Sequence, residues 1–382
     1  MNNTINSILP GQTLGLIGGG QLGQMFALQA IAMGYKVVLL EPQKDCPCSR
    51  IVDHHIIAQY DDRTALNRLA DLCDVVTTEF ENVNADAIEY LENKIQVYPN
   101  SSALRIAQNR NLEKEFFNQF GIATTQFALI NSKESLENIS KNLFPAILKT
   151  NTLGYDGKGQ INVDNLDQLE SAWNQLNGQT CVLEKKVSLA MEASIVVARN
   201  SFETVNHPIA QNIHKNGILH LSSIPSEISL EATKYITESA HKIADKLNYI
   251  GVLAIEFFIT TDGQILANEM APRPHNSGHY TQDACVSSQF EQQVRSICNI
   301  KLGNPNAHSH VIMLNLLGET MLKPNFNANL NKALSTYDNL KLHLYGKSDA
   351  KIGRKMGHIN LVGDNSTKLK QQMDNIISIL EV

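Results

Sequence analysis

The sequence predicts a mixed α/β and α+β protein: a parallel-sheet domain at the N-terminus, a larger α+β region, and a small C-terminal domain. Three observations point there. Over the first hundred residues short apolar strands alternate with helical patterns, as in a parallel sheet covered on both faces. From Phe127 strand and helix units flank a glycine-rich loop, and from Glu192 the chain becomes strand-rich. After Gly303 a short section ends in a glycine-punctuated hairpin and a final helix. The expected bounds are 1–105, 106–302 with a smaller lid unit over about 122–187, and 303–382.

The strand TLGLIGGG runs into a tight turn, and QLGQMFALQAIAMG carries helical apolar spacing up to Gly34. YKVVLLEP, HHIIAQY, DVVTTEF and KIQVYP read as the remaining strands, with helices over Thr64 to Leu72 and Asn84 to Glu92. Ser101 is placed to cap one long linking helix, SALRIAQNRNLEKEFFNQF, which stops at Gly121. The lid unit reads FALI, a helix from Lys133, AILKT, the glycine loop, GQINV, a helix through Trp173, and CVLEKKV. EASIVVARN, ETVNHPIAQNIHKNG and ILHLSS are strand-forming, and a helix covers Leu230 to Leu247. GVLAIEFFIT and QILANEMAPRP then form a hairpin around Thr261, Asp262 and Gly263.

The chain has 382 residues, 43% hydrophobic and 18% charged, with a formal net charge of −6 and no basic block. That argues against a protein built to bind nucleic acid, while leaving room for a local anion site. No apolar run is long enough to cross a bilayer and MNNTINSILPGQ lacks the pattern of a secretory signal, so a cytoplasmic protein is expected. Six cysteines are scattered; Cys46 and Cys48 stand close, but a lone C-P-C is a poor metal signature and reduced thiols are expected.

Several motifs carry chemistry. Gly18, Gly20 and Gly23 form G-x-G-x-x-G between a strand and a helix, and Glu41 ends the next strand. The pattern suits a dinucleotide, but glycines and a helix N-terminus would welcome any phosphorylated ligand. The loop NTLGYDGKGQ follows a strand carrying Lys149 and holds Gly154, Gly157 and Gly159 with Asp156 and Lys158. Glu256 sits in an apolar strand and Glu269 on its hairpin partner, with Asn268 beside it; two inward carboxylates make a hard oxygen site suited to magnesium, the alternative being a wet edge strand. A strand lysine, a glycine loop and a carboxylate pair together describe a nucleoside triphosphate site, yet the P-loop and protein-kinase signatures are missing. VLEKKVSLAME offers Glu184, Lys185, Lys186 and Val187 for an adenine edge and Glu192 for ribose hydroxyls, or else a charged strand exit. APRPHNSGHYTQ crowds Arg273, His275, Asn276, Ser277 and His279 onto a short loop, the density expected of substrate contact. YGKSDAKIGRKMGH places Lys347, Arg354 and Lys355 on a hairpin, as a phosphate clamp or a solvated turn.

Together GGGQLGQM, TTEFENV, GYDGKGQ, EKKV, IEFF, NEMAPRPHNSGHYT and YGK…GRKMGH resemble the ATP-grasp superfamily, and within it the 5-(carboxyamino)imidazole ribonucleotide synthase family, over nearly the whole chain. Two departures, Thr78 before the EFENV acid and Gln24 after GGGQLG, remove no charged residue. The resemblance implies an ATP-grasp fold behind a Rossmann-like, pre-ATP-grasp domain. It implies an ATP site made by Arg110, Lys149, the loop Gly154, Tyr155, Asp156, Gly157, Lys158, Gly159 and Gln160, the segment Glu184, Lys185, Lys186 and Val187, and Glu192, His214, Asn268 and Glu269. Magnesium would sit on Glu256 and Glu269. Gly20, Gln21, Leu22, Glu79 and Asn82 would contact aminoimidazole ribonucleotide, with Tyr155, Asp156, His275, Asn276 and Ser277 beside it and Lys347, Arg354, Lys355 and Arg273 near its phosphate. Lys149, Asp156, Arg273 and Lys347 would be catalytic. The implied enzyme is an ATP-grasp ligase of purine synthesis, a homodimer without biotin, that joins bicarbonate to aminoimidazole ribonucleotide through carboxyphosphate. A formate-dependent glycinamide ribonucleotide transformylase, a biotin carboxylase subunit, a dehydrogenase and an ATP-binding sensor are the alternatives. If Asp156 takes the proton of the substrate amine, Asp156→Asn keeps nucleotide binding and loses carboxylation; equal turnover of that variant removes Asp156 from the mechanism.

Overall fold

The computed structural model describes residues 6–152, 154 and 159–382. The first sheet is parallel and five-stranded, its order running His54–Ile56, Lys36–Leu40, Thr13–Ile17, Val75–Thr78, Val97–Tyr98. The strand sequences TLGLI and KVVLL are apolar on both faces because both are covered: Leu14, Leu16, Val37 and Leu39 pack toward helix Gln21–Ala32, while Ile17, Val38 and Leu40 meet Leu66, Leu69 and Ile88 on the other side. Helix starts are set by short polar caps. Asp62 accepts from the N–H groups of Thr64 and Ala65, and Asn84 accepts from that of Asp86.

The linking segment differs from the single helix its composition predicts. It forms two, Ser101–Ala107 and Arg110–Gln119, and the first is capped by Asn100 rather than Ser101. The break comes from Asn109, whose backbone is extended and whose side chain accepts from the Leu112 N–H, starting a new helix. Arg110 thus stands in a helical first turn, its N–H donating to the Asn151 carbonyl at 2.9 Å.

The lid is a four-stranded antiparallel sheet, ordered Phe127–Ile130, Cys181–Lys185, Ala146–Thr150, Gln160–Val163. Trp173, Leu148, Leu183 and Val163 form its core beneath helix Leu169–Gln175. The large sheet has nine strands. Ile265–Ala271 lies at one edge, followed by Gly251–Thr260, Leu189–Arg199, Ala210–Lys215 and Ile218–Ile224. The C-terminal strands do not make a sheet of their own: His310–Leu317 pairs with Ile218–Ile224 and carries Lys355–Gly363 and Leu340–Leu344 beyond it.

Helix Gln289–Ile297 sits between the N-terminal sheet and the large one and is almost wholly buried. Its three glutamines act as backbone partners. Gln292 exchanges hydrogen bonds with both Gly303 N–H and Gly303 C=O, at 2.9 and 2.8 Å. Gln293 accepts from Val252 N–H and donates to the Thr77 hydroxyl, joining the two sheets. Gln293→Ala leaves both partners buried and unpaired, and a loss of about 1–3 kcal/mol is expected from the urea midpoint; a change within 0.5 kcal/mol (roughly the scatter of surface substitutions) would mean the joint rests on apolar packing instead.

Candidate active site

A cleft of about 390 Å³ opens where the N-terminal domain, the lid and the large sheet meet. Gln21, Leu22, Glu79, Glu81 and Asn82 line it from the first domain; Arg110, Glu113 and Gly154 from the linking helix and lid; Glu269, Arg273, His275, Asn276 and Lys355 from the large sheet and its loops. Residues from every sequence motif except EKKV and IEFF therefore reach one cavity. Tyr155, Asp156, Gly157 and Lys158 lie outside the described residues.

The glycine turn has a different use from the one its motif suggests. The Glu79 carboxylate accepts from the N–H groups of Gly20 and Gly23, both at 2.6 Å, so the helix N-terminus already holds an anion. Glu41 accepts from Gly19 N–H at 2.9 Å, where the dinucleotide reading wants a ribose. A Cβ on Gly20 would stand 2.5 Å from Glu79 Oε1, which is why the residue is glycine. Gly20 thus supports Glu79, and its own N–H is not open to a ligand. Burial holds Glu79 at about 7 despite these two bonds.

Helix Arg110–Gln119 carries three ionic residues at spacings of three and four, all on one face. Arg110 reaches Glu269 at 3.1 Å and the Gly154 carbonyl at 3.3 Å. Glu113 accepts from Met270 N–H at 2.6 Å. Lys114, with a side chain 1% exposed, lies 3.2 Å from Glu184, and Lys149 lies 3.0 Å from the same oxygen. Burial opposes the charge on Glu184, but the ammonium groups of Lys149 and Lys114 outweigh it and hold the acid down at about 2. The Glu184 side chain thus serves Lys149 and Lys114. The N–H groups of Lys185 and Lys186 donate to Gln126 and Pro145 carbonyls, so they are not open to an adenine edge as the motif suggested. Val187 follows, half-buried. Gln160 pairs with Lys149 in register, and the Gly159 carbonyl accepts from Thr150 N–H.

Glu256 and Glu269 stand directly opposite on neighbouring strands. The pairing slips immediately afterwards, which leaves Asn268 as the extra residue of a bulge. Its Oδ1 is buried without a partner. Burial first, then the charge of Glu269, raises Glu256 to about 7, and the same two causes raise Glu113 to about 8. Glu192 and His214 are hydrogen-bonded on adjacent strands of the same sheet. Burial works against the imidazolium, but the Glu192 bond and the charges of Glu256, Glu192 and Glu269 raise His214 overall.

On the substrate side the expectations shift. Arg273 grips Glu81 of the N-terminal domain through Nε and through Nη2, the latter at 3.0 Å, and donates to the Pro274 carbonyl at 3.2 Å. Three of its five N–H donors are thus held inside the protein and two remain. Ser277 is fully buried; its hydroxyl meets Ser194 and the Nδ1 of His275, behind the cleft wall instead of in it. Arg354 is not among the residues lining the cleft, and its guanidinium donates to the Asp349 carbonyl across the hairpin turn. Lys347 donates to the Lys355 carbonyl at 2.8 Å, and its charge is felt at Glu79. Lys355 lines the cleft itself. Asn276 is buried with both ends of its amide unpartnered. Burial, then the charges of Arg273 and Lys355, keeps His275 neutral, its pKa well below the ordinary histidine value. Glu81, Glu113 and Lys114 escaped the sequence reading: Glu81 lies in the quoted TTEFENV, and the other two lie three and four residues past Arg110.

Comparison with known proteins identifies the domains that frame this cleft. The ribonucleotide synthetase preATP-grasp domain family matches residues 11–108, the ATP-grasp domain family residues 115–290, and the phosphoribosylaminoimidazole carboxylase C-terminal domain family residues 311–372. An N5-carboxyaminoimidazole ribonucleotide synthase of Bacillus subtilis is 41% identical over 370 residues, 96% of each chain. Its counterpart in Brucella melitensis is 42% identical over 360 residues, covering 93% of this chain and 98% of that one. A crystal structure of an N5-carboxyaminoimidazole ribonucleotide synthetase with ADP superposes with a TM-score of 0.92 at 42% identity, over 99% of both chains. The Aspergillus clavatus synthase, solved with ADP and 5-aminoimidazole ribonucleotide, gives 0.89 at 29% identity over 97% and 98%. With relatives above 40% identity along almost its full length, and with the three domain types in order, this chain belongs to the N5-carboxyaminoimidazole ribonucleotide synthase family of ATP-grasp ligases.

Proposed function

We propose that the chain carboxylates the exocyclic amine of 5-aminoimidazole ribonucleotide with bicarbonate and ATP, releasing 5-carboxyaminoimidazole ribonucleotide, ADP and phosphate. The observation that carries this reading is the shared cleft. Nucleotide-side residues (Arg110, Glu269) and ribonucleotide-side residues (Gln21, Glu79, Asn82) face one cavity, with Arg273, His275 and Asn276 between them. Bicarbonate attacks the γ-phosphorus of ATP, giving carboxyphosphate and ADP; the amine then takes the carboxyl group, directly or as carbon dioxide, with loss of phosphate and a proton.

Each step has residues suited to it. Lys149 and Arg110 bring positive charge to the junction of lid and sheet, where phosphates need it. Asn276 offers an unpaired donor and an unpaired acceptor, and bicarbonate carries both a hydroxyl and acceptor oxygens. Arg273, held flat by Glu81, turns its remaining N–H groups to an oxyanion without having to be ordered on binding. Glu79 and Asn82, with Lys355 and Lys347 nearby, suit the polar ribonucleotide.

Magnesium fits the chain. Glu256, Glu269 and the unpartnered Asn268 oxygen are hard donors, and the carboxylate crowding that raises Glu256 and Glu113 is what a divalent cation relieves. Held there, magnesium would supply charge neutralisation of the phosphoryl oxygens. No biotin is required. The family resemblance further supports a homodimer working in the cytoplasm, and among the described residues no helix is long and apolar enough to cross a membrane.

ADP release should depend on 5-aminoimidazole ribonucleotide when ATP, magnesium and bicarbonate are present. Release with formate and glycinamide ribonucleotide, or with biotin, in its place would reassign the substrate.

The carboxylate pair makes a separate prediction. Glu256 is raised to about 7 from an unfolded value of 4.5, so the folded chain keeps a proton the unfolded chain gives up. The stability tied to that proton is fully present below the unfolded value and is lost as pH rises through about 7. In chelator the melting temperature should therefore fall between about pH 4.5 and 7.5, and Glu256→Gln should flatten the fall. Magnesium at the upper pH should raise the wild-type melting temperature and leave Glu256→Gln unmoved. Equal responses in both proteins would remove the pair as the cation site.

A further inference from the structure

His275 is held from behind by two devices that no sequence motif announces. The first is Gln289, fully buried on helix Gln289–Ile297. Its Oε1 accepts from the His275 backbone N–H at 2.8 Å and its Nε2 donates to the His275 carbonyl, also at 2.8 Å. The N–H can only donate and the C=O can only accept, so the amide has one possible orientation. It acts on His275 as a neighbouring strand would. A Cβ on Gly278 would stand 2.4 Å from Gln289 Oε1, so the loop folds tightly over the clamp.

The second device acts on the ring. His275 Nδ1 lies 2.9 Å from the Ser277 hydroxyl and receives the Ser277 backbone N–H at 3.3 Å. A backbone N–H can only donate, so Nδ1 carries no hydrogen. The Ser277 hydroxyl has its own support in a row across three strands. Ser222 donates to Asn212 Oδ1 at 2.7 Å, Asn212 Nδ2 donates to Ser194 at 2.9 Å, and Ser194 donates to Ser277 at 2.7 Å. That order leaves the Ser277 hydrogen for Nδ1. The four supporting residues are buried, so water does not compete for the row. The neutral ring must then carry its hydrogen on Nε2, the atom 3.8 Å from Glu256 Oε1.

We propose that Ser277 and Gln289 fix His275 as the Nε2–H tautomer, so that His275 meets the reacting oxyanion as a hydrogen-bond donor and does not take a proton from bicarbonate or from the substrate amine. This deepens the proposed reaction and rests on it for the identity of the oxyanion. Gln289 is a positioning residue, since it touches His275 and not the cleft contents.

Two experiments test it. Nitrogen-15 correlation spectra of the full-length protein labelled at histidine, taken without substrate, show each ring's tautomer; the His275 signals are those that vanish in His275→Gln. A protonated Nε2 and an unprotonated Nδ1 are expected, and the reverse pattern, or a mixture of the two, overturns the proposal. Because no substrate is present, this result stands even if 5-aminoimidazole ribonucleotide proves to be the wrong substrate. Carboxylation rates then test the role. Gln keeps an N–H donor but cannot act as a base, so His275→Gln should stay within about tenfold of wild type while His275→Leu loses about 10²–10³-fold, the cost of one oxyanion donor. Gln289→Leu should lower kcat and leave the KM for ATP unchanged, with Gln289→Asn recovering part of the loss. Equal loss in His275→Gln and His275→Leu would show that the ring moves a proton. If Gln289→Leu raises the KM for ATP as much as it lowers kcat, Gln289 is structural and the clamp has no specific part in the reaction.

Discussion

The ionic face of helix Arg110–Gln119 is the joint on which the site depends. Arg110 ties the lid loop at Gly154 to Glu269, Glu113 ties the helix to the backbone of the same strand, and Lys114 ties it to Glu184 in the lid sheet. Glu113 and Lys114 are buried and Arg110 is largely so, and each is costly there unless its partner is in place. That dependence sets the position of the lid sheet, and with it Lys149, relative to the carboxylates of the large sheet. The joint exists because Asn109 stops one helix and caps the next, turning Arg110 toward the cleft.

Charge balance then explains why the cleft suits its ligands. On one side two ammonium groups share the single carboxylate of Glu184, a local positive excess that a triphosphate would neutralise. On the other, Glu113, Glu256 and Glu269 crowd together, and burial with their mutual repulsion makes Glu113 and Glu256 hold protons up to about 8 and 7, a crowding that a cation would relieve. A nucleotide bound with a divalent cation would answer both imbalances at once.

The N-terminal domain shows how one local motif can serve a different ligand. Its glycine turn and helix N-terminus are built as an anion site, and Glu79 of the same domain occupies it. The turn therefore orients a carboxylate at the cleft wall instead of gripping a pyrophosphate, and Glu41 is likewise committed to Gly19 and the Tyr60 hydroxyl. Glu81, two residues on, holds Arg273 from across the domain boundary, so one short segment after the strand Val75–Thr78 contributes both an acid and the partner of a base.

What could be read from the sequence alone follows from local physics. Periodicity marked the strands and most helices because backbone pairing and face burial repeat every two or 3.6 residues. The apolar neighbours of Glu256 marked it as an inward carboxylate, and Glu269 followed as its hairpin partner. The crowded polar loop from Arg273 to Ser277 marked a site without saying which side chains face it. Those facts belong to tertiary structure, because a hydrogen bond between distant segments leaves no trace in the spacing of either. Glu79 filling the glycine turn spans 56 residues and Glu81 holding Arg273 spans 192. Lys114 and Glu113 had the composition of an ordinary solvated helix face, and Ser277 that of a ligand contact. The lid sheet covers Lys114, the large sheet's edge strand covers Glu113, and a buried row of serines and an asparagine turns Ser277 to the back of His275.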